Sequence, residues 1–300
     1  MLGYVILAES LANQKIKYCY GIVGIPVIEL GYAIQTVGIT YYGFRNEQQA
    51  SYSAGYTGYL TGIPGACLCV SGPGHTNAIS GVANAWANSW PMLLISGSND
   101  INQTSREAFQ EIDQVYFVKP YTKYSVRITD PRDIPYHVHK AVRAAITGRP
   151  GPVFLDLPGD VLTATVETPL HHPLFMPPSK FCPDPSEIQK ALSMMVSFKK
   201  PLIIVGKGCA YGHAEKEVRE LVEITGIPFL PTPMGKGVVP DSHFLNISAA
   251  RSTALKEADL IILLGARLNW ILHFGLAPRF SKDVKIIQAD IYPEQMGHNV

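Results

Sequence analysis

The sequence has few charged residues and almost no net charge. Asp, Glu, Lys and Arg make up 16% of the 300 residues, and 25 basic side chains stand against 24 acidic ones. This balance excludes a nucleic-acid-binding protein of the strongly basic kind. Because 47% of the residues are hydrophobic, the composition also excludes a disordered chain. We therefore expect a folded protein, for which the length suggests two domains.

Cysteine pairs, long apolar runs and a leader pattern are also missing. The five cysteines are odd in number and contain no Cys-x-x-Cys pair, so neither a disulfide framework nor a metal site is predicted. The longest apolar stretch, residues 260–266, is far shorter than the about 20 residues of a membrane helix. Glu9 interrupts the apolar run near the amino terminus, which lacks a basic segment. These absences predict a soluble intracellular protein.

Apolar runs alternate with helical patterns along the whole chain. The runs show no polar alternation, which is typical of strands that are covered on both faces in parallel sheets. Nine are candidate strands: residues 18–23, 39–44, 66–70, 92–97, 153–157, 202–205, 228–230, 260–264 and 285–291. Between them, Val218, Leu221 and Val222 mark one face of a helix that Gly226 can end. The alternation predicts an α/β fold with doubly wound parallel sheets.

A proline-rich stretch divides the chain. Six prolines occur between residues 169 and 185, and proline fixes φ and cannot donate a backbone hydrogen bond. We predict an extended linker over residues 166–186, a first domain over 1–165 and a second over 187–300. For the linker pair His171 and His172, solvated side chains are favoured over a metal site.

Four loops follow predicted strands of the first domain, at residues 21–26, 45–50, 71–77 and 96–100. Ligands of open α/β sheets bind at the carboxyl ends of strands. Glu47 stands out because it opens a predicted helix, where a carboxylate simply favours the helix dipole. In a dry cleft the same carboxyl group could instead exchange a proton with a ligand. The residues alone leave both readings open.

Several motifs resemble those of thiamine-diphosphate enzymes. YGIVGIP at residues 20–26, RNEQQA at 45–50 and SGPG at 71–74 resemble the pyrimidine-binding domain. Four others are similar to the branch that contains 2-hydroxyacyl-CoA lyases and oxalyl-CoA decarboxylases: FQEIDQ at 109–114, GRPGPV at 148–153, PTPMGKG at 231–237 and GARLNW at 265–270. The resemblance runs from near residue 1 to residue 300. It implies a pyrimidine-binding domain followed by a Rossmann-like central domain, in a homo-oligomer.

The resemblance assigns Glu47 the catalytic role. Its carboxyl group is implied to hydrogen-bond atom N1′ of the aminopyrimidine ring of thiamine diphosphate and to promote proton transfer within the cofactor. Five other residues are implied to shape the cofactor pocket: Ile25, Pro26, Ser71, Pro73 and Asn77. Turn chemistry alone would also explain these residue types, Asn77 above all.

The branch contains two activities that differ at one pair of residues. Oxalyl-CoA decarboxylases carry Tyr-Glu where this chain has Phe109 and Gln110, and the lyases carry Phe-Gln. A neutral pair suits an alkyl chain, since an uncompensated carboxylate is costly to bury. The resemblance therefore implies cleavage of a 2-hydroxyacyl-CoA to formyl-CoA and a shortened aldehyde, with oxalyl-CoA decarboxylation as the alternative. It also implies fatty-acid α-oxidation in peroxisomes, although no Ser-Lys-Leu-type address is visible.

The second predicted domain carries a weak nucleotide pattern. Gly206, Lys207 and Gly208 follow an apolar run, and Asp290 lies in a later one. Glycine lets the backbone approach a nucleotide closely, a cation can bind its phosphate and an acid can bind its ribose. The same residue types are also common in loops that bind no ligand. In the resembling enzymes, an adenosine-phosphate group of CoA or ADP lies among the positions that match Arg149, Lys207, Arg267 and Asp290.

One part of the family pattern has no match in these residues. The resembling enzymes bind Mg²⁺ through a Gly-Asp-Gly and a later Asn in a third, diphosphate-binding domain. No such motif occurs here, so we expect an incomplete chain whose central domain is truncated and whose third domain is absent. The alternative is a non-catalytic short form that binds a nucleotide or pairs with longer subunits.

Overall fold

The computed structural model describes residues 1–167 and 173–299, and the chain divides into two compact units. Unit 1 comprises Met1–Ser179 and unit 2 comprises Lys180–Val300. Residues 173–184 have no regular secondary structure. The predicted linker histidines, His171 and His172, lie outside the described residues. None of the described helices combines the length and the apolarity needed to cross a bilayer.

Unit 1 contains a six-stranded parallel sheet in the order β2-β1-β3-β4-β6-β5. The strands are β1 (Tyr18–Gly21), β2 (Thr40–Gly43), β3 (Gly65–Cys69), β4 (Met92–Ser98), β5 (Tyr124–Arg127) and β6 (Pro152–Pro158). Every residue of β3, β4 and β6 is buried, which is why these strands read as near-continuous apolar runs. Strand β5 was not predicted, because it is a half-buried edge strand that includes Ser125 and Arg127.

Helices cover both faces of this sheet. They are α1 (Gly3–Asn13), α2 (Ile28–Thr36), α3 (Glu47–Thr61), α4 (Pro73–Asn88), α5 (Gln114–Val118), α6 (Ile134–Ile146) and α7 (Gly159–Thr163). Leu93 of β4 packs in the core formed with α1, α2 and α6. Its neighbour Leu94 packs in the core formed with α3 and α4. Alternate side chains of one strand thus enter two cores, as the period of a strand requires.

Unit 2 repeats the architecture on a smaller scale. Its parallel sheet has the order β10-β9-β7-β8, and a separate core lies on each face. Helix α10 ends at Gly226 with φ 65°, as predicted. The elements are α8 (Pro185–Ser197), β7 (Pro201–Val205), α9 (Lys207–Tyr211), α10 (Glu215–Thr225), β8 (Phe229–Pro231), α11 (Arg251–Glu257), β9 (Leu260–Leu264) and β10 (Lys285–Ala289). The prediction of a doubly wound α/β fold with parallel sheets is confirmed.

Candidate active site

The four predicted loops leave the same edge of the unit 1 sheet, because parallel strands direct their carboxyl ends to one side. The loops also touch. A Cβ atom on Gly97 would lie 2.5 Å from Cδ of Pro26, and one on Gly72 would lie 2.9 Å from Cβ of Gln110. These glycines allow the loops after β1, β3 and β4 to pack closely. We call this side of the sheet the carboxyl edge.

Glu47 is the first residue of α3, and Asn46 caps the helix by accepting a hydrogen bond from the backbone N–H of Gln49 at 3.2 Å. The half-buried Glu47 carboxylate accepts a hydrogen bond at Oε2 from Nδ2 of Asn77, at 3.2 Å. A Cβ atom on Gly74 would lie 3.5 Å from Oε1. The start of α4 therefore backs the carboxylate and binds one of its oxygens.

The close packing of α3 against α4 brings Glu47 and Asn77 together. One turn further along, Gly81 of α4 faces Ser51 of α3. A Cβ atom on Gly81 would lie 2.1 Å from Oγ of Ser51 and 2.7 Å from its backbone carbon, so a side chain there would force the helices apart. The absence of a side chain at residue 81 sets the spacing of the pair.

The other predicted cofactor residues occupy two neighbouring loops. Ser71 is buried where β3 ends, and Pro73 is the exposed first residue of α4. Together with Asn77 they surround the start of α4, next to Glu47. Pro26 packs against Gly97 at the end of β4, whereas the Ile25 side chain is 72% exposed. The structure thus gathers all six predicted cofactor residues on the carboxyl edge.

A series of hydrogen-bonded polar side chains is buried beneath the start of α4 and was not predicted from the sequence. Nδ1 of His75 lies 3.0 Å from Oγ of Ser96, which lies 3.0 Å from Sγ of Cys69. Burial lowers the pKa of His75 to about 4, so the imidazole is neutral. Burial also raises the pKa of Cys69 to about 12, with a further contribution from the Glu47 charge. These three side chains link α4 to the sheet, and the Cys69 thiol is not a reactive thiolate.

His75 retains one unsatisfied atom. Its Nε2 has no hydrogen-bond partner among the described residues, and its ring packs 4.8 Å from the ring of Phe154. The only signal in the sequence was its place four residues after Ser71 in a predicted site loop. Which strand it would contact depends on the register of α4 against the sheet, and a single sequence does not reveal that register.

Phe109 and Gln110 lie on the loop between β4 and α5, against the Ser71 loop. Phe109 is 73% exposed. Gln110 adopts a left-handed backbone with φ 56°, and its Oε1 is buried without a partner among the described residues. A strained backbone and an unsatisfied amide oxygen are features that functional sites often retain.

A second buried cluster anchors this loop, and the sequence analysis missed it as well. Nε2 of Gln114 donates to the carbonyl oxygen of Gly97 and to Oδ1 of Asp156, each at 3.1 Å. Nε of Arg127 lies 3.9 Å from Oδ2 of Asp156. Burial raises the pKa of Asp156, and the Arg127 charge and the hydrogen bond from Gln114 oppose that rise. The loop that carries Phe109 is thus fixed to the ends of β4 and β6.

The four predicted nucleotide-binding residues are divided between the units. Arg149 belongs to unit 1 and precedes β6, so it lies at the amino edge of that sheet, where its Nε donates to Oγ of Ser89 at 2.7 Å. Lys207, Arg267 and Asp290 follow β7, β9 and β10 of unit 2. These three residues therefore share the carboxyl edge of the second sheet.

The loops after β7 and β9 approach each other closely. A Cβ atom on Gly206 would lie 2.1 Å from the carbonyl oxygen of Gly265. Oδ1 of Asp290 accepts a hydrogen bond from the backbone N–H of Tyr292 at 3.0 Å. Among the residues that the structure describes, no group of three or more His, Cys, Asp or Glu side chains is arranged to hold a metal ion.

Comparison with known proteins gives two family matches. Residues 1–117 match the thiamine pyrophosphate enzyme N-terminal TPP binding domain, and residues 188–300 match the thiamine pyrophosphate enzyme central domain. The matched parts contain the Glu47 site and the strands of unit 2.

Curated relatives match almost the whole chain. It is 51% identical to 2-hydroxyacyl-CoA lyase 1 of Mus musculus over 99% of this chain and 52% of the relative. It is 44% identical to the 2-hydroxyacyl-CoA lyase of Arabidopsis thaliana, over 98% of this chain and 53% of the relative. It is 42% identical to the oxalyl-CoA decarboxylase of Escherichia coli (strain K12), over 99% of this chain and 54% of the relative. The chain spans about half the length of the curated relatives it matches.

Proposed function

The chain belongs to the thiamine pyrophosphate enzymes, and on that premise we propose that the protein cleaves a 2-hydroxyacyl-CoA to formyl-CoA and an aldehyde one carbon shorter. Identity of 51% to a 2-hydroxyacyl-CoA lyase over nearly the whole chain is the observation that carries the proposal. The positions of Glu47 and Phe109 on one edge of the unit 1 sheet support it.

The residues of the carboxyl edge fit the pyrimidine half of thiamine diphosphate. Oε2 of Glu47 accepts a hydrogen bond from Asn77, and Gly74 approaches Oε1 without a side chain of its own. When bound, the cofactor supplies an electron sink in its thiazolium ring. Glu47 would hold and release a proton at Oε1 against N1′ of the aminopyrimidine ring, and Asn77 would keep the carboxyl group in place. Ile25, Pro26, Ser71 and Pro73 would line the pocket.

Phe109 and Gln110 favour the lyase over the decarboxylase. Both side chains are uncharged, and they lie on the loop that Gln114 fixes at the carboxyl edge. An alkyl chain can contact such a pair without burying a charge, whereas a second substrate carboxylate would lack a partner there. Oxalyl-CoA decarboxylation is the alternative, and the 42% identity to such an enzyme supports it.

The finer assignments are part of the same proposal. Lys207, Arg267 and Asp290 are proposed to bind an adenosine-phosphate group of CoA or ADP, and their shared edge in unit 2 supports this. For Arg149 of unit 1, adenosine-phosphate binding is proposed from the resemblance alone. A Mg²⁺ ion for the diphosphate, homo-oligomer formation and a role in peroxisomal fatty-acid α-oxidation are proposed from kinship to the lyases. The limits proposed for the domains are 1–165 and 187–300, with a linker over 166–186.

The test compares two substrates in purified protein that also carries the diphosphate-binding domain of the family, supplied with thiamine diphosphate and Mg²⁺. We expect formyl-CoA to form faster from a long-chain 2-hydroxyacyl-CoA than from oxalyl-CoA. Glu47→Gln should lower that rate by about 10²-fold or more, since the amide cannot supply the proton. Glu29→Gln is a matched control, because Glu29 is an exposed carboxylate in the first turn of α2 and should be replaceable without loss. Faster turnover of oxalyl-CoA would establish the alternative, and turnover of neither substrate would refute the proposed activity.

A further inference from the structure

The loop between β4 and α5 contains three residues in the left-handed backbone conformation. Ser105, Glu107 and Gln110 have φ values of 62°, 59° and 56°, and none of them is a glycine. A side chain disfavours this conformation, because its Cβ atom crowds the following carbonyl oxygen. Other contacts must therefore hold the loop in this shape.

The carboxylate of Glu111 provides such contacts. Its Oε1 accepts a hydrogen bond from the backbone N–H of Ser105 at 2.5 Å, and its Oε2 accepts one from the backbone N–H of Ala108 at 3.1 Å. Hydrogen bonds to an ionised acceptor are stronger than those between neutral groups. The bonds from Ser105 and Ala108 also hold the pKa of Glu111 below its usual range, so the side chain is ionised at neutral pH. One carboxylate thus ties two parts of the loop together.

The backbone of Glu111 closes a turn that carries Phe109 and Gln110. Its N–H donates to the carbonyl oxygen of Ala108 at 3.1 Å, which places Gln110 at the third position of a four-residue turn. Glycine and asparagine are the usual residues at that position when φ is positive. Gln110 therefore adopts this conformation against its own preference, and Glu111 binds the other end of the turn through both its backbone and its side chain.

The turn packs against the start of α4. A Cβ atom on Gly72 would lie 2.8 Å from the carbonyl oxygen of Gln110, so the two backbones meet without a side chain between them. Oε1 of Gln110 is buried and has no partner among the described residues, whereas the Phe109 side chain is 73% exposed. A shift of the turn would move both side chains relative to the start of α4.

We propose that Glu111 is a positioning residue that sets substrate selectivity by holding the turn of residues 108–111 against the start of α4. The inference rests on the proposed function, in which Phe109 and Gln110 face the acyl part of the substrate. Selectivity is a difference between two transition-state free energies, so side chains that keep one orientation can favour an alkyl chain over a carboxylate. Without the two acceptor oxygens of Glu111, nothing opposes the right-handed preference of the loop residues, and Phe109 and Gln110 lose that orientation.

The first arm of the test needs neither cofactor nor substrate. The exchange of the backbone amide protons of Ser105 and Ala108 with solvent is measured by NMR in the purified chain near neutral pH. We expect Glu111→Ala to raise both rates about tenfold or more, because both protons lose their acceptor. Glu107→Ala is the matched control, since it removes an exposed carboxylate from the same loop and should leave both rates within about twofold. Unchanged rates in folded Glu111→Ala would overturn the proposal.

The second arm measures selectivity in protein that also carries the diphosphate-binding domain of the family, supplied with thiamine diphosphate and Mg²⁺. The value of kcat/KM is determined for a long-chain 2-hydroxyacyl-CoA and for oxalyl-CoA. Glu111→Ala should reduce the preference of the parent between these substrates about tenfold. Glu111→Gln keeps one acceptor oxygen and should reduce it less, and Glu107→Ala should not reduce it.

A merely structural role of Glu111 would lower both kcat/KM values by the same factor. An unchanged preference in folded Glu111→Ala, checked by circular dichroism, would therefore overturn the proposal. Failure of the proposed function gives a different result. If the parent turns over neither substrate, the selectivity role falls with the proposed activity, and the exchange rates show separately whether Glu111 holds the turn.

Discussion

The hydrogen-bond partners of polar side chains differ between the two edges of the unit 1 sheet. At the carboxyl edge, side chains bind other side chains: Glu47 accepts from Asn77, and Gln114 donates to Asp156. At the amino edge, the side chain of Lys123 is instead held by the backbone carbonyl of Thr147. The buried partners Gln114 and Asp156 depend on each other, so the loss of one is expensive. An exposed side chain that donates only to a backbone carbonyl oxygen can be replaced with little loss of stability.

The difference has a functional consequence. A proton-transferring carboxyl group must be held in a fixed position, which the hydrogen bond from Asn77 and the close packing of α3 against α4 provide for Glu47. Side chains at the carboxyl edge are therefore held more firmly than the Lys123 side chain at the amino edge.

The largest effect on stability is expected from Gln114→Leu. The variant removes two hydrogen bonds and leaves Asp156, which is 2% exposed, with fewer partners. We expect a loss of about 3 kcal/mol in the free energy of unfolding, because hydrogen bonds to buried charged groups are among the most costly to break. Urea denaturation measures it.

The amino edge provides the comparison for that variant. Ser89→Ala removes the hydrogen bond from Arg149 and should cost no more than about 1 kcal/mol. Equal losses in the two variants would remove the contrast between the edges.

Much of the fold was predictable because burial is visible in the sequence. Strands β4 and β6 are buried at every residue, and both coincide with near-continuous apolar runs. Helix α10 ends at Gly226 in the left-handed conformation that favours glycine. Strand β5 was missed because an edge strand with polar residues produces no such run.

The candidate site was predictable only in part. The position of Glu47 at the start of a helix follows from Asn46, a good capping residue. The bond from Asn77 was not predictable, because it depends on how closely α3 and α4 approach. Residue type alone likewise could not place His75 against Ser96, since contacts across 21 residues are set by packing.

A smaller effect should appear in the pH dependence of stability. The pKa of His75 is about 4 in the folded protein and about 6.5 when unfolded. The unfolded chain therefore binds the proton first, and stability falls as the pH decreases from about 6.5 towards 4. Between pH 7 and pH 5 the loss due to His75 should be about 2 kcal/mol.

His75→Leu isolates this contribution from other groups, including the half-buried His137, whose pKa burial also lowers. The difference in unfolding free energy between His75→Leu and the parent should move by about 2 kcal/mol in favour of the variant over that interval. Lys123 affects the free energy of unfolding in a different pH range. Because its pKa is about 8 in the folded protein, it lowers stability only as the pH falls from about 10.4 to 8. Parallel pH profiles for parent and variant from pH 7 to pH 5 would show that His75 is not buried as a neutral ring.

A smaller effect than that of Gln114→Leu is expected from Gly81→Ala, which tests whether the spacing of α3 and α4 holds the carboxyl edge together. The new methyl group would meet Ser51 at about 2 Å, and the strain should cost about 1.5 kcal/mol. Gly55→Ala is the matched control. It lies in the same helix pair, but its Cβ atom would lie at 3.4 Å from Ala85, so helix propensity should make that variant neutral or slightly more stable. Because Gly81 sets the distance between Glu47 and Asn77, Gly81→Ala should also shift the side-chain amide NMR signal of Asn77. A shift of the Asn77 signal in Gly55→Ala but not in Gly81→Ala would contradict this account, since the carboxyl edge would then depend on a contact other than that between Gly81 and Ser51.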